Sequence, residues 1–375
     1  MIQDERSNEL RSRGGQMDWP LVLVTTLLCA MGLVTLYSAA GSPLVDGPPR
    51  AFVMQASYMV FGLVLMLVLA LLDPRVYERG AYLSFGVVVV LLLLVLLVGP
   101  VRGGSQRWLA LGPVNLQPSE LAKLALVVAT ARYFASRPRA EGWGLRDLLV
   151  PAALFLAPLA LLVFLEPDLG TTLFLCFVFA AVTFVVGLRW RTLMVALVVV
   201  MLGSPIAYRV VLNDYQRERV DVLFAPDADP KGQGYQAIQG RYAIGSGQVL
   251  GKGFGNSTQG RLRFLPEQHT DFIFSVFAEE RGFVGCVLVL LLYFGHMLLG
   301  LWVAWNARDR FGSILASGVV AVFFCHVCIN LGGVLGLMPI TGVTLPLMSY
   351  GGSSAVTLLL ATGLLLSVST HRRTR

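Results

Sequence analysis

The chain has 375 residues, 56% of them hydrophobic and 14% charged, with a formal net charge of +7. That composition excludes a soluble globular enzyme and describes a polytopic α-helical membrane protein. The positive balance does not mark a nucleic-acid binder, because no Lys/Arg cluster is interleaved with aromatics on a soluble domain.

Residues 1–18 form a polar tail carrying Arg6, Arg11 and Arg13. Apolar segments follow at 19–40, 51–72, 80–99, 118–135, 147–165, 169–187, 192–210, 272–305, 312–338 and 347–370, about ten transmembrane helices by hydropathy. The first is too long for the apolar part of a signal peptide and reads as a retained signal anchor. Glu166-Pro167-Asp168 alone separates the fifth and sixth segments, which predicts a tight helical hairpin. Residues 371–375 form a second polar tail. Five cysteines, Cys29, Cys176, Cys286, Cys325 and Cys328, all lie in apolar segments, which argues against a disulfide framework and for packing.

Loop arginines set the orientation. Arg75, Arg79, Arg137, Arg139, Arg146, Arg189, Arg191, Arg308 and Arg310 fall on the side of the two tails, whereas the short loops opposite hold Arg50, Arg102 and Arg107. Cytoplasmic loops carry the excess of cations, so both termini are placed inside and the 211–271 loop, between helices 7 and 8, outside. That loop is long enough to be functional. Its Asp214–Pro230 part reads as turn-rich, and Tyr235, Ile238 and Tyr242 recur at helical spacing, predicting a short helix over Gly234–Ile244. The glycine-rich stretch after it fails as a P-loop: Gly247 to Lys252 is one residue short, and Gly253 stands where Ser or Thr should be. It reads as flexible loop.

The polar stretch Arg261–Arg281 runs from this loop into the eighth apolar segment, and charges at membrane depth mark functional sites by default. Two compatible roles stand for Asp271: a cap for the helix that follows, or a general base toward a substrate hydroxyl. Glu279, Glu280 and Arg281 read either as a buried packing pair or as part of a site. A second polar cluster comprises Arg102, Arg107, Trp108, Glu120 and Lys123. Glu120 and Lys123 are three apart, hence on one helical face, and fit an ion pair as well as a site. Arg107 beside Trp108 suits a lipid phosphate or a sugar. The last outer turn, Met338 to Ser354, holds two prolines and three glycines, so broken helix is expected there, with Ser349 as a candidate contact. The histidines have no metal-ligand spacing.

Five motifs in order carry a family resemblance: QRWLALG with LQPSELAKLALV, LEPDLGTT, ERVDVLFAPDADPKGQGYQAIQGRYAIGSG, FLPEQHTDFIFSVFAEERGFVG and LMPITGVTLPLMSYGGSS. The chain resembles the SEDS family (shape, elongation, division and sporulation) of bacterial cell-wall glycan polymerases, from about residue 19 onward. It is most similar to the elongation branch, with the division branch second. The resemblance implies an all-α polytopic membrane protein, a ten-helix fold spanning 19–370, in the bacterial cytoplasmic (inner) membrane with its active site facing outward. It implies a peptidoglycan glycosyltransferase that polymerises lipid II with inversion and releases undecaprenyl pyrophosphate. Asp271 matches the family's essential loop aspartate. Trp108, Arg107, Glu120 and Lys123 match positions of its cavity, and Arg102, Glu280 and Ser349 are further candidate substrate contacts. No cofactor is evident; a divalent cation, Mg or Mn, is compatible with Asp271. The implied partners are a class B penicillin-binding protein supplying the transpeptidase, the undecaprenyl pyrophosphate-linked glycan and other membrane proteins of the elongation complex. A lipid II flippase is the rival reading; polar residues gathered toward one face and the large outer loop favour the enzyme.

Overall fold

A computed structural model describes residues 17–40, 48–102, 105–111, 114–210, 212–226, 232–258 and 267–372, apart from the side chains of Arg102, Ser105, Leu111, Val114, Tyr215 and Gln233. The tail residues 1–16 and 373–375 and the Arg261–Pro266 start of the polar stretch lie outside the described residues. Among the described residues helices predominate, with one short β segment. Its helices are α1 (Trp19–Ala39), α2 (Arg50–Leu71), α3 (Pro74–Val98), α4 (Pro118–Ala135), α5 (Leu145–Leu165), α6 (Leu169–Gly187), α7 (Trp190–Val210), α8 (Asp214–Phe224), α9 (Gln233–Ser246), α10 (Ile273–Trp305), α11 (Arg310–Leu335) and α12 (Gly352–Thr370).

Among the described residues, nine of these helices are long and apolar enough to cross a membrane. The tenth expected span is α4, which carries Glu120, Lys123 and Arg132. It is buried by protein on nearly every side, as are α11 and α12. A helix facing other helices rather than lipid tolerates charge provided that it is paired, so its weaker hydropathy follows from its central place. Around it, α12 packs along α2, α10 lies against α11 and α1, and α3 covers α4. In contrast, α7 buries only Thr192. The hairpin expected at Glu166–Asp168 is present, since α5 ends at Leu165 and α6 begins at Leu169. Pro151 leads into a π-helical turn, Ala152–Leu156, inside α5.

Three stretches differ from expectation. Residues 101–116 fold into two small antiparallel hairpins, β1 (Val101–Arg102) with β2 (Ser105–Gln106) and β3 (Leu109–Leu111) with β4 (Val114–Leu116). The part read as turn-rich contains α8, begun by a capping box in which the Asn213 amide donates to Gln216 Oε1 at 3.1 Å. The glycine-rich stretch after α9 is a fixed clasp on α10. That helix is broken at Gly282, whose φ of 62° and ψ of −164° belong to a region essentially restricted to glycine. Backbone groups freed by the break are taken up by the clasp: Lys252 N–H donates to Glu279 C=O, Gly253 N–H to Glu280 C=O, and Phe283 and Val284 N–H to the carbonyls of Gln248 and Val249, at 2.8–3.1 Å. A Cβ on Gly282 would lie 2.3 Å from Gly251 N, and one on Gly251 2.1 Å from Glu280 O. Backbone thus meets backbone, which is why the stretch is glycine-rich.

The Glu279 carboxylate, fully buried, locks the clasp. Its Oε1 accepts from Lys252 Nζ at 2.5 Å, Thr258 N at 3.0 Å and Thr258 Oγ1 at 2.6 Å, and its Oε2 from Ser257 Oγ at 2.6 Å. Glu280 accepts from the Ser38 hydroxyl of α1 and from Gly255 N. The expected Glu280–Arg281 packing pair is therefore replaced: Arg281 lies over the Phe254 ring instead.

Candidate active site

Segments far apart in sequence close around one cavity of about 400 Å³. Its walls are the Arg107–Trp108 link between the hairpins, the start of α4, the α5–α6 turn, Thr270–Asp271 at the mouth of α10, and the 341–344 and 350–354 stretches flanking the last turn.

Asp271 sits in the turn that precedes α10. Its carboxylate does not cap the helix; Phe272 occupies the cap position, and no side chain caps it. The group stays available to the cavity while its backbone is fixed from three sides. Asn330 Nδ2 of α11 donates to the Asp271 carbonyl at 3.2 Å and to Val343 C=O at 2.9 Å. Ser349 Oγ donates to Thr270 C=O at 2.7 Å, and Tyr350 N–H donates to His269 C=O at 2.8 Å. Burial, reinforced by the nearby Glu267 charge, pushes the Asp271 carboxyl up to about 6, against the pull of Arg219 and Thr270. A carboxylate poised near neutrality suits a general base.

Arg107 is held by the α5–α6 turn. Its Nε donates to Glu166 C=O at 3.3 Å, another guanidinium N–H donates to Pro167 C=O, and Nη1 lies 3.8 Å from Asp168 Oδ2. Asp168 in turn accepts from Thr171 N and Oγ1 at 3.1 and 2.9 Å, capping α6. The cation is therefore preorganised at the cavity wall, where it can meet developing negative charge. Behind it the Glu166 carboxyl is wholly buried with both oxygens unpartnered, and burial with the Asp168 charge lifts it to about 8.

Glu120 enters the cavity from the first turn of α4, which Pro118 opens. Lys123 Nζ reaches Glu120 Oε1 at 2.7 Å, as the spacing of three allows, and also His326 Nε2 at 3.2 Å. Lys123 is 1% exposed and does not line the cavity.

The sequence-predicted residues thus separate. Asp271, Arg107, Trp108 and Glu120 come together around one space. Lys123 lies behind Glu120. Glu280 is turned to α1 and the clasp, away from the cavity, and Ser349 is spent on backbone, its Oγ also accepting from Leu345 N at 2.9 Å. None of these three lines the cavity. The Arg102 side chain lies outside the described residues. Sequence reasoning missed Asp168, Thr344, Asn330 and His326; for Asn330 and His326 the signal is a lone polar residue inside an apolar run, too weak without a partner in view. Among the described residues, no group of three or more His, Cys, Asp and Glu side chains is placed to hold a metal ion.

A bundle of apolar helices with three carboxylates and an anchored cation around one cavity defines a multi-pass membrane protein with a polar site. Comparison with known proteins gives the family. The sequence pattern of the FtsW/RodA/SpoVE cell cycle proteins matches residues 18–374. The chain is 40% identical over 357 residues to peptidoglycan glycosyltransferase MrdB of Escherichia coli K12, covering 95% of this chain and 94% of that protein. It is 35% identical to stage V sporulation protein E of Bacillus subtilis, covering 95% and 98%. Among solved structures, a chain of a peptidoglycan synthase complex superposes with a TM-score of 0.79 at 37% identity, covering 94% and 97%. The rod shape determining protein RodA of Thermus thermophilus superposes with a TM-score of 0.70 at 34% identity, covering 96% and 98%. The chain belongs to the FtsW/RodA/SpoVE family.

Proposed function

We propose that this chain is a peptidoglycan glycosyltransferase of the elongation branch, acting on lipid II in the bacterial inner membrane with its cavity outward and both termini cytoplasmic. Asp271 takes the proton from the 4-hydroxyl of the incoming lipid II. The freed oxygen attacks the anomeric carbon of the growing strand from the face opposite its pyrophosphate. The bond from that carbon to the pyrophosphate oxygen breaks, and undecaprenyl pyrophosphate leaves with its charge offset by Arg107. Trp108 offers an aromatic face to a sugar, and Glu120 an acceptor to a hydroxyl or amide. A class B penicillin-binding protein supplies crosslinking. A divalent cation would serve the pyrophosphate; with Asp168 engaged by Thr171 and Arg107 and Glu120 by Lys123, Asp271 is the cavity carboxylate that would hold it, and no step is assigned to it.

The observation that supports this reading most is Asp271: an uncapped, partly desolvated carboxylate sharing a cavity with an anchored arginine. The test is glycan synthesis from purified lipid II by the chain with a transpeptidase partner inactivated at its serine. Polymer from wild type and none from folded Asp271→Asn is the expected result. Equal polymer from both removes Asp271 as the base; lipid II flipping without polymer moves the chain to transport.

A further inference from the structure

We propose that His326 is a positioning residue of this site, fixing Glu120 through Lys123 and tying both to the cavity-lining Thr344. The inference rests on the transferase reading above. His326 lies in α11 and is wholly buried, with its two ring nitrogens engaged on opposite sides. Nδ1 is 2.9 Å from the Thr344 carbonyl oxygen and Nε2 is 3.2 Å from Lys123 Nζ. A carbonyl oxygen only accepts, so Nδ1 carries a hydrogen. An ammonium only donates, so Nε2 is bare. The two partners together dictate one species, the neutral ring protonated at Nδ1.

This choice of species fixes the ammonium. Lys123 has three N–H groups, and the surroundings offer three receivers: Glu120 Oε1 at 2.7 Å, His326 Nε2, and the face of Phe174, whose centroid is 4.5 Å away. Phe174 also packs edge-on against the imidazole at 4.6 Å. Glu120 is thereby gripped by one oxygen only. Its other oxygen, Oε2, is buried and has no partner, in a residue that lines the cavity. A carboxylate held at one end with the other end bare is a preset acceptor for a sugar hydroxyl or amide N–H. Without the His326 acceptor, the ammonium would hold a spare N–H in dry surroundings, and the unpartnered Glu120 Oε2 belongs to the carboxylate that it already grips. Lys123 would then grip both oxygens and withdraw the acceptor from the cavity.

The test compares His326→Gln with His326→Met in the full chain with its transpeptidase partner, using purified lipid II. A glutamine amide carries both an N–H donor and a carbonyl acceptor, as the ring does; methionine fills similar space with neither. Expected is a rate for H326Q within about threefold of wild type, and for H326M a loss of roughly tenfold to a hundredfold, the range of a hydrogen bond to a charged group. In the Glu120→Gln background, adding H326M should cost nothing further, because the group being positioned is already altered. The ring itself is read by the 15N spectrum of histidine-labelled protein, which needs no folded variant beyond H326Q to assign the signal: a neutral ring with hydrogen on Nδ1 alone is expected. H326M as active as wild type, H326Q as impaired as H326M, an undiminished H326M loss in the E120Q background, or an imidazolium signal each overturns the role. Wild type that makes no glycan overturns the transferase reading, and the role with it.

Discussion

Asp271 and Glu279 stand on the same stretch of chain, eight positions apart, and are treated in opposite ways. Glu279 is saturated: a lysine, three hydroxyls and a backbone amide converge on its two oxygens. Asp271 is left short of donors, with burial and a neighbouring carboxylate lifting it to about 6. Buried charge is tolerable when its hydrogen bonds are complete and reactive when they are not. The difference separates a lock from a site, and residue type alone does not announce it.

The largest effect is expected from Asp271→Asn. Loss of a general base should cost about 10²- to 10⁴-fold in glycan synthesis. The same change should stabilise the protein. The folded state holds the Asp271 proton more tightly than the unfolded chain does, so ionisation above pH 6 costs folding free energy; removing that cost gains roughly 2–3 kcal/mol at neutral pH and nothing near pH 3. Melting curves at the two pH values check the sign. Next comes Gly282→Ala, which forces a Cβ into Gly251 and an L-residue into glycine-only backbone; destabilisation of at least about 3 kcal/mol is expected, read as lost monodisperse protein. Lys252→Met removes the cation from Glu279 but leaves its hydroxyl donors, so a loss of about 1–3 kcal/mol should appear as faster hydrogen exchange over 247–258. Smaller still is the pH effect on wild type: the rate should climb through about pH 6 as Asp271 ionises and level off above it. Glu166→Gln should leave the rate at pH 7 unchanged and flatten the decline in stability between pH 4.5 and 8, since a carboxyl raised to about 8 is lost to the folded state's disadvantage only as pH rises.

Much of this was legible in the sequence. The spans follow from hydropathy, and the α5–α6 hairpin from three residues between apolar runs. Asp271 stood out because a lone carboxylate precedes a long apolar helix. What holds its backbone did not, because Asn330 is 59 positions from Asp271 and Ser349 is 79 from Thr270. Lys123 and Glu120 share a helix face, yet Glu120 alone of the two lines the cavity, and the His326 that Lys123 reaches stands more than two hundred positions on. The clasp misled for a different reason. Its bonds run from backbone to backbone, so they leave only glycines in the sequence, and glycines read equally as looseness.

The break at Gly282 also has a mechanical meaning. A continuous helix transmits a push along its whole length, whereas α10 is jointed, with a short upper arm, Ile273–Arg281, ending at Asp271 and a long lower arm anchored in the bundle. The clasp grips the joint itself. With Glu279 and Glu280 bonded to it above the break and Phe283 and Val284 below, it acts as a splint that sets the angle between the two arms and so the place of the carboxylate beyond the short arm's tip.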